Sequence, residues 1–465
     1  MTLLRQRDPR IILLVCGLSS IGDFIAFVVL TIRVFEVTNQ SAIAVGGLLL
    51  AMVIPGVVLA PLVGWLVDHF ETRGVLVATS IGEALVVGAL ALTSNLAVTL
   101  VLAFLLGAGV AIARPAVFAL LPRIAGEGSV TELNAWYQMV YFGGASVGPA
   151  LGGLLIGYVG GRWALAIDAV TFLVLAAGAA ALRTTRPPAR QEEGEGHGSG
   201  WRQGISVVVR DRVVLIVMVV TALAILMVGA ANVGEVFLAK GPLRSGDIGY
   251  GLLNASWTLG MVLLLVTVGR RLRTDQLVPG LLLGLLTASA MTLAAGLAPN
   301  IVVALALYLV GGGGNGIGNV ALRSAIQHRV PERQLGTAFA AFGALASAAE
   351  VSSTGLGGVL VEVAGVRGSF AVLGGAGILT AVAGFAGYAR LPADVRAMPS
   401  RAPEHATDGI ADPTADGAGP VDGLTASVTP AATAASSAAP TPEAATLATP
   451  NPHEQQTDDG WQATR

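Results

Sequence analysis

Twelve apolar stretches fill residues 11–391 and leave little chain between them. They run 11–33, 42–67, 74–94, 97–121, 134–157, 163–182, 213–238, 247–268, 277–297, 300–322, 335–361 and 368–391. A stretch of about 20 apolar residues matches the ~30 Å hydrocarbon core of a bilayer. In that core only helices and closed barrels satisfy their own backbone polar groups, and stretches this long predict helices. The expected fold class is therefore an all-α integral membrane protein with twelve transmembrane helices. Composition agrees: 12% of residues are charged, against roughly 25% in a soluble chain. The first stretch follows Arg5, Arg7 and Arg10, as a signal peptide would. It is too long for one and carries Asp23 at its centre, so it is read as the first helix.

Orientation follows from the arginines. With the N-terminus in the cytoplasm, 22 Arg fall on the cytoplasmic side, and only Arg33, Arg162, Lys240, Arg244 and Arg367 fall outside. Both termini are expected in the cytoplasm, in a multi-pass protein of the cell inner or plasma membrane. Residues 393–465 hold ten acids against three arginines and are rich in Ala, Thr and Pro. Such a segment has no periodic apolar face to bury, so a disordered cytoplasmic tail is expected. Residues 184–204, with Pro187, Pro188 and several acids and glycines, read as a cytoplasmic linker between a six-helix half at 1–183 and another at 205–392.

The two halves repeat at an offset of 205 residues. Gly46-Gly47 meets Gly251-Leu252, Gly64 meets Gly269, Ile112 meets Ile317, and Gly152-Gly153 meets Gly357-Gly358. A parallel six-plus-six repeat is a known plan of secondary transporters, with substrate held near the midplane between the halves.

Three stretches carry a family resemblance. Gly17-Leu-Ser-Ser-Ile-Gly22-Asp23 with the segment Val34–Gly46, the run Gly64-Trp-Leu-Val-Asp68 through Arg73, and Gly144-Ala-Ser-Val-Gly148-Pro149-Ala-Leu-Gly152-Gly153 resemble the major facilitator superfamily. The nearest likeness is to its bacterial drug and siderophore exporters, of macrolide-efflux and enterobactin-exporter type. The resemblance implies a conformational gate at Gly64, Asp68 and Arg73. It also implies an antiporter motif on helix 5 at Gly144, Gly148, Pro149, Gly152 and Gly153. His69 and Glu71-Thr72 depart from the usual basic run of the gate loop. Read without the family, the four glycines form a small-residue stripe that lets two helices approach closely. Pro149 removes a backbone donor beside it. Asp68 has Arg73, or the positive end of a neighbouring helix, as expected partner.

Ionisable groups inside the spans are the sharpest pointers, because a charge at membrane depth is costly unless it faces a partner or a cavity. Asp23 lies near the midplane of helix 1 and Glu350 near the centre of helix 11, and both are candidates for proton coupling. Arg114, Asn315 and Asn319, with the aromatics Phe27, Trp136, Tyr137, Tyr141, Trp257 and Phe339, are candidates for the substrate cavity. The resemblance places helices 3 and 6 on the outside of the bundle, so Glu83 and Asp168 there are expected to serve packing or helix-to-helix hydrogen bonds.

Enzymatic and pump chemistry lack their parts. Lys240 is the sole lysine and stands in no Gly-x-x-x-x-Gly-Lys run, so no nucleotide-driven step is encoded. Gly144-Ala-Ser146-Val-Gly148 spells a nucleophile-elbow pattern but lies inside a span, with no strand before it. No catalytic residue, metal site, cofactor or nucleic-acid partner is expected. The expected partners are a small-molecule substrate, protons and the bilayer, for a chain acting as a monomer. Three function classes follow: proton-coupled efflux of an apolar drug or secondary metabolite by alternating access, siderophore export on the same fold, or a membrane sensor or scaffold.

Overall fold

The computed structural model describes residues 5–126, 129–187, 211–267 and 273–396. These are helical almost throughout, and no strand occurs among the described residues. In chain order the helices are α1 Arg7–Val37, α2 Ala42–Val58, α3 Ala60–His69, α4 Thr72–Leu92, α5 Leu96–Ala125, α6 Val130–Val159 and α7 Gly161–Ala181. The second half has α8 Arg212–Lys240, α9 Gly246–Thr267, α10 Leu277–Gly296, α11 Ile301–Arg329, α12 Glu332–Ala389 and the short α13 Ala393–Arg396. Ten of them are long and apolar enough to cross a bilayer alone. Large side chains stand bare on their outer faces, with Leu14 72%, Leu85 70% and Leu379 71% exposed, as a lipid-facing surface requires.

Local chemistry explains where the helices stop. Ser41, Asn95, Asp211 and Asn300 each accept a bond from a backbone N–H in the first turn of α2, α5, α8 and α11. Such caps satisfy donors that a helix start leaves open. The stretch expected as one helix over 42–67 is in fact two, α2 and α3, bent by 55° at Leu59. Pro55 lies inside α2 and a second proline opens α3, and each removes a backbone donor. Conversely, α12 covers 58 residues, which as one straight helix at 1.5 Å per residue would come to roughly 87 Å, but it is two helices meeting at a kink. Such a length is far more than one bilayer, and Gly365 within it has a non-helical φ of 68°. The helix breaks there, so α12 is read as two crossings, and with α2–α3 as one the described residues hold twelve.

The repeat is visible in the contacts. Asn95 and Asn300 cap equivalent helices, and Gly160 and Gly365 make equivalent turns at positive φ, both pairs 205 residues apart. Gly107 lies against the backbone of Met52, and its counterpart Gly312 against that of Trp257. Gly152 abuts Ile25 and Val28 on α1, and Gly357 abuts Ala230 and Val233 on α8. The halves join through the same symmetry: Gly153 abuts Asp247 and Ile248 on α9, and Gly358 abuts Ala42 and Ile43 on α2.

Two expectations at the edges of the halves change. Residues 184–187 are not free linker. Asp8 accepts bonds from the Arg183 and Thr184 N–H groups at 3.0 and 2.9 Å, and Arg186 reaches Asp68. The first residues of the expected tail form α13, held by a 2.7 Å bond from Arg329 to the Val395 carbonyl. Residues 188–204 of the linker, the loop arginines Arg270 and Arg271, and the tail from 397 onward lie outside the described residues.

Candidate functional site

The two halves enclose a cavity of about 480 Å³. That is within the range that holds a drug-sized ligand. Its walls come from α1, α2, α5 and α6 of the first half and α8, α10, α11 and α12 of the second. Apolar side chains such as Phe24, Phe27, Met52, Ile225 and Leu285 dominate the lining. The polar groups are few: Asp23, Arg114, Thr221, Asn232, Asn315, Asn319, Glu350, Ser353 and Thr354, with the hydroxyl of Tyr141.

Arg114 lines the same cavity as Asp23 and Glu350, within electrostatic reach of both. Its guanidinium bonds to the Tyr141 hydroxyl and lies 4.5 Å from that ring's centroid. Tyr141 in turn packs edge-on to Phe24 at 5.9 Å. On the opposite wall Asn319 donates to the Asn315 carbonyl at 3.0 Å, leaving further amide capacity toward the cavity.

The cavity is closed at the end away from the chain termini. Lys240 at the end of α8 bonds Glu36 on α1 and Asp247 on α9, both at 2.6 Å. Beneath this bridge Phe35 and Phe237 meet edge-on at 4.9 Å. At the terminal end, the ion pairs Asp68–Arg186 at 3.4 Å and Asp211–Arg329 at 2.8 Å each stay within one half. Arg114 and Asn319, toward that end, are exposed. The cavity therefore opens toward the terminal end.

The residues expected from sequence divide. Asp23, Glu350, Arg114, Asn315 and Asn319 all reach the cavity wall. Trp136, Tyr137 and Trp257 do not. Tyr141 is the residue of α6 that faces inward, and Trp136, five positions earlier at about 100° per residue, lies well round the helix. It packs against the core of the first half, and Tyr137 is buried against Phe118. Trp257 fills the space left by Gly311 and Gly312 and meets Tyr308 edge-on at 5.9 Å. The glycine run of α11 is thus regular helix pressed against its neighbours.

At the expected gate, Asp68 pairs with Arg186, and Arg73 pairs with Glu71 at 3.3 Å and donates to the Leu182 carbonyl. The expected Asp68–Arg73 pair does not form. Gly64 is exposed on α3 nearby. In the helix-5 motif Gly144, Gly148 and Gly152 run along α1, while Gly153 and the Pro149 carbonyl meet α9 across the halves.

Sequence reasoning passed over Asn232, which lines the cavity from α8, because a single neutral Asn in an apolar span carries no signal of its own. It also passed over a polar knot beside it. Glu235 is 5% exposed and accepts a 2.9 Å bond from Asn254, and Tyr308 also bonds to it.

A family model described as Major Facilitator Superfamily matches residues 12–353. The chain belongs to the Major Facilitator Superfamily. Among curated proteins, an uncharacterized MFS-type transporter, YfiS of Bacillus subtilis (strain 168), is 24% identical over 368 residues, covering 77% of this chain and 87% of that one. Solved structures share the superfamily fold. The nucleoside transporter NupG aligns with a TM-score of 0.67 at 14% identity, over 82% of this chain and 99% of its own. An auto-inhibited peptide transporter of the POT family aligns with a TM-score of 0.64 at 12% identity, over 83% and 98%. The human organic anion transporter MFSD10 aligns with a TM-score of 0.56 at 16% identity, over 81% and 99%. Superfamily membership makes this chain a secondary transporter that works by alternating access, and a protein embedded in a membrane.

Proposed function

We propose that this transporter exports an apolar, neutral or cationic small molecule, of drug or secondary-metabolite type, using a proton gradient. The observation that carries the reading is the cavity's chemistry: two carboxylates and one guanidinium on largely apolar walls. Apolar surface and aromatic faces suit a hydrophobic ligand, and the surplus carboxylate suits a positive charge. A carboxylate in such a site can take a proton from one side and return it to the other. Asp23 and Glu350 are the coupling groups in this reading, with Asp68 and Arg186 among the contacts that break and form as the terminal end closes. Export of a catecholate-type siderophore fits less well. Such a ligand calls for several basic groups, and Arg114 is the one cation among the described lining residues. The arginine bias supports a cytoplasmic location of the termini; in that orientation the cavity faces the cytoplasm, the side from which an exporter loads. One chain supplies both walls, so the monomer is the working unit.

Asp23→Asn tests the reading in proteoliposomes with ethidium as a probe cation. The amide is nearly isosteric with the protonated acid, so the fold and probe binding are retained. Accumulation driven by an imposed pH gradient falls by about tenfold or more, while downhill exchange persists. Full gradient-driven accumulation by Asp23→Asn would exclude Asp23 from coupling, and Glu350→Gln would then be measured the same way.

A further inference from the structure

Behind Asp23 the structure holds a second acid that the transport cavity does not reach directly. A narrow cleft of about 50 Å³ shares Asp23, Val110, Arg114 and Tyr141 with the cavity wall and extends to Glu83 on α4. Room for one water needs roughly 10–15 Å³, so a cleft of this size accommodates water. Glu83 is 3% exposed, and its Oε2 is buried with no hydrogen-bond partner. Leaving a buried carboxyl oxygen unpartnered costs free energy, and native proteins rarely do so without use. Glu83 is pressed there by α5, which presents Gly109 to it: a Cβ at that position would come within 2.8 Å of Glu83 Oε1.

The groups facing Glu83 from every packed helix are Asp23 and Cys16 on α1, Arg114 on α5, Tyr137 and Tyr141 on α6, and Asp168 on α7. Asp168 is fully buried against Gly22, beside Asp23, and its Oδ1 accepts from the Thr171 hydroxyl at 3.1 Å. The internal repeat sharpens the point. At 205 residues on, Asp23, Glu83 and Asp168 become Val228, Ala288 and Leu373, while Gly314, the counterpart of Gly109, still packs against Ala288. The acids are not demanded by the packing plan, since the other half is built without them.

We propose that Glu83 is a second proton-holding group of the transport cycle, exchanging a proton with Asp23 along this cleft. The proton leaves the Asp23 carboxyl oxygen, passes by way of water, and is taken by Glu83 Oε2, and the reverse step returns it. Asp168 is a positioning residue in this scheme, holding α1 beside α7 so that Asp23 borders the cleft. The assignment rests on the proton-coupled reading above, but it is tested apart from it.

Infrared spectra of the reconstituted full chain, recorded without substrate across a pH series, report protonated carboxyls by their C=O stretch. The wild type is expected to show a band that Glu83→Gln removes. Glu83→Gln is also expected to move the midpoint of the remaining Asp23 band by about one pH unit or more, as coupled sites do. In Asp23→Asn the Glu83 band is expected to persist with a displaced midpoint, and this variant carries the test if Glu83→Gln does not insert. A Glu83→Gln spectrum identical to wild type at every pH would overturn the proposal, as would an Asp23→Asn spectrum with the Glu83 midpoint unmoved. Gradient-driven transport retained by Asp23→Asn would instead overturn the coupling reading and leave the infrared result standing.

Discussion

Glu235 shows how much a single buried residue depends on its neighbours. The carboxylate lies near the closed end of the cavity, accepts from Asn254, and is also bonded by Tyr308. Removing one donor leaves a buried oxygen unsatisfied, which costs more than the net value of the bond itself. Asn254→Ala is therefore expected to destabilise the fold by about 1–3 kcal/mol, read as a lowered unfolding temperature in scanning fluorimetry. An unfolding temperature equal to wild type would mean that water or a rotamer change replaces the lost donor. This residue also marks a limit of the sequence. Glu235 is an ionisable residue within a span, but its partners are neutral residues, and nothing in a lone Asn or Tyr announces that it serves a buried acid. Asp68 makes the same point: its partner Arg186 lies 118 residues away, whereas the nearer Arg73 looked the natural choice. The cavity residues Asp23, Glu350 and Arg114 were legible for the opposite reason. A charge at membrane depth has few places to go, so its cost points at a cavity.

Among the helices, most of the plan could be read in advance, because apolar length fixes crossings and a common offset fixes the repeat. What remained hidden were the bend at Leu59 and the faces of α4, α6 and α7. A crossing's rank in the bundle says whether it stands inside or outside, but not which side chains turn inward. Glu83 therefore read as a packing residue although it reaches a cleft beside Asp23. The paired glycines at the interface of the halves give this scale its prediction. A Cβ on Gly153 would lie 2.6 Å from the Asp247 carbonyl oxygen, and one on Gly358 would lie 2.9 Å from that of Ala42. Both meet rigid backbone, so Gly153→Val and Gly358→Val must push the halves apart at the closed end. Lys240, the sole lysine, bridges the halves there with its side chain 17% exposed. Each variant is expected to raise amine-reactive labelling of Lys240 severalfold, measured by peptide mass spectrometry. Labelling at the wild-type level would show that the closed end tolerates the added bulk without opening.

For the molecule as a whole, the open question is which side of the membrane the cavity faces. The answer comes from charge. Arginines gather at the end that carries Arg73, Arg123, Arg186 and Arg329, and the opposite end holds Lys240, Arg162, Arg244 and Arg367. Positive residues near short loops are retained in the cytoplasm. In the proposed orientation the open cavity is an inward-facing state, and the Lys240 bridge with the Phe35–Phe237 contact is the seal on the outside. Ser94 and Thr185 report the two ends: Ser94 is exposed in the short connection between α4 and α5, and Thr185 is exposed just after α7. In a Cys16→Ser background that removes the sole native thiol, Ser94→Cys is expected to react with a membrane-impermeant maleimide in intact cells. Thr185→Cys is expected to react only after permeabilisation. The reverse pattern would invert the protein, place the open cavity on the outer face, and turn the same geometry into that of a transporter poised to load from outside.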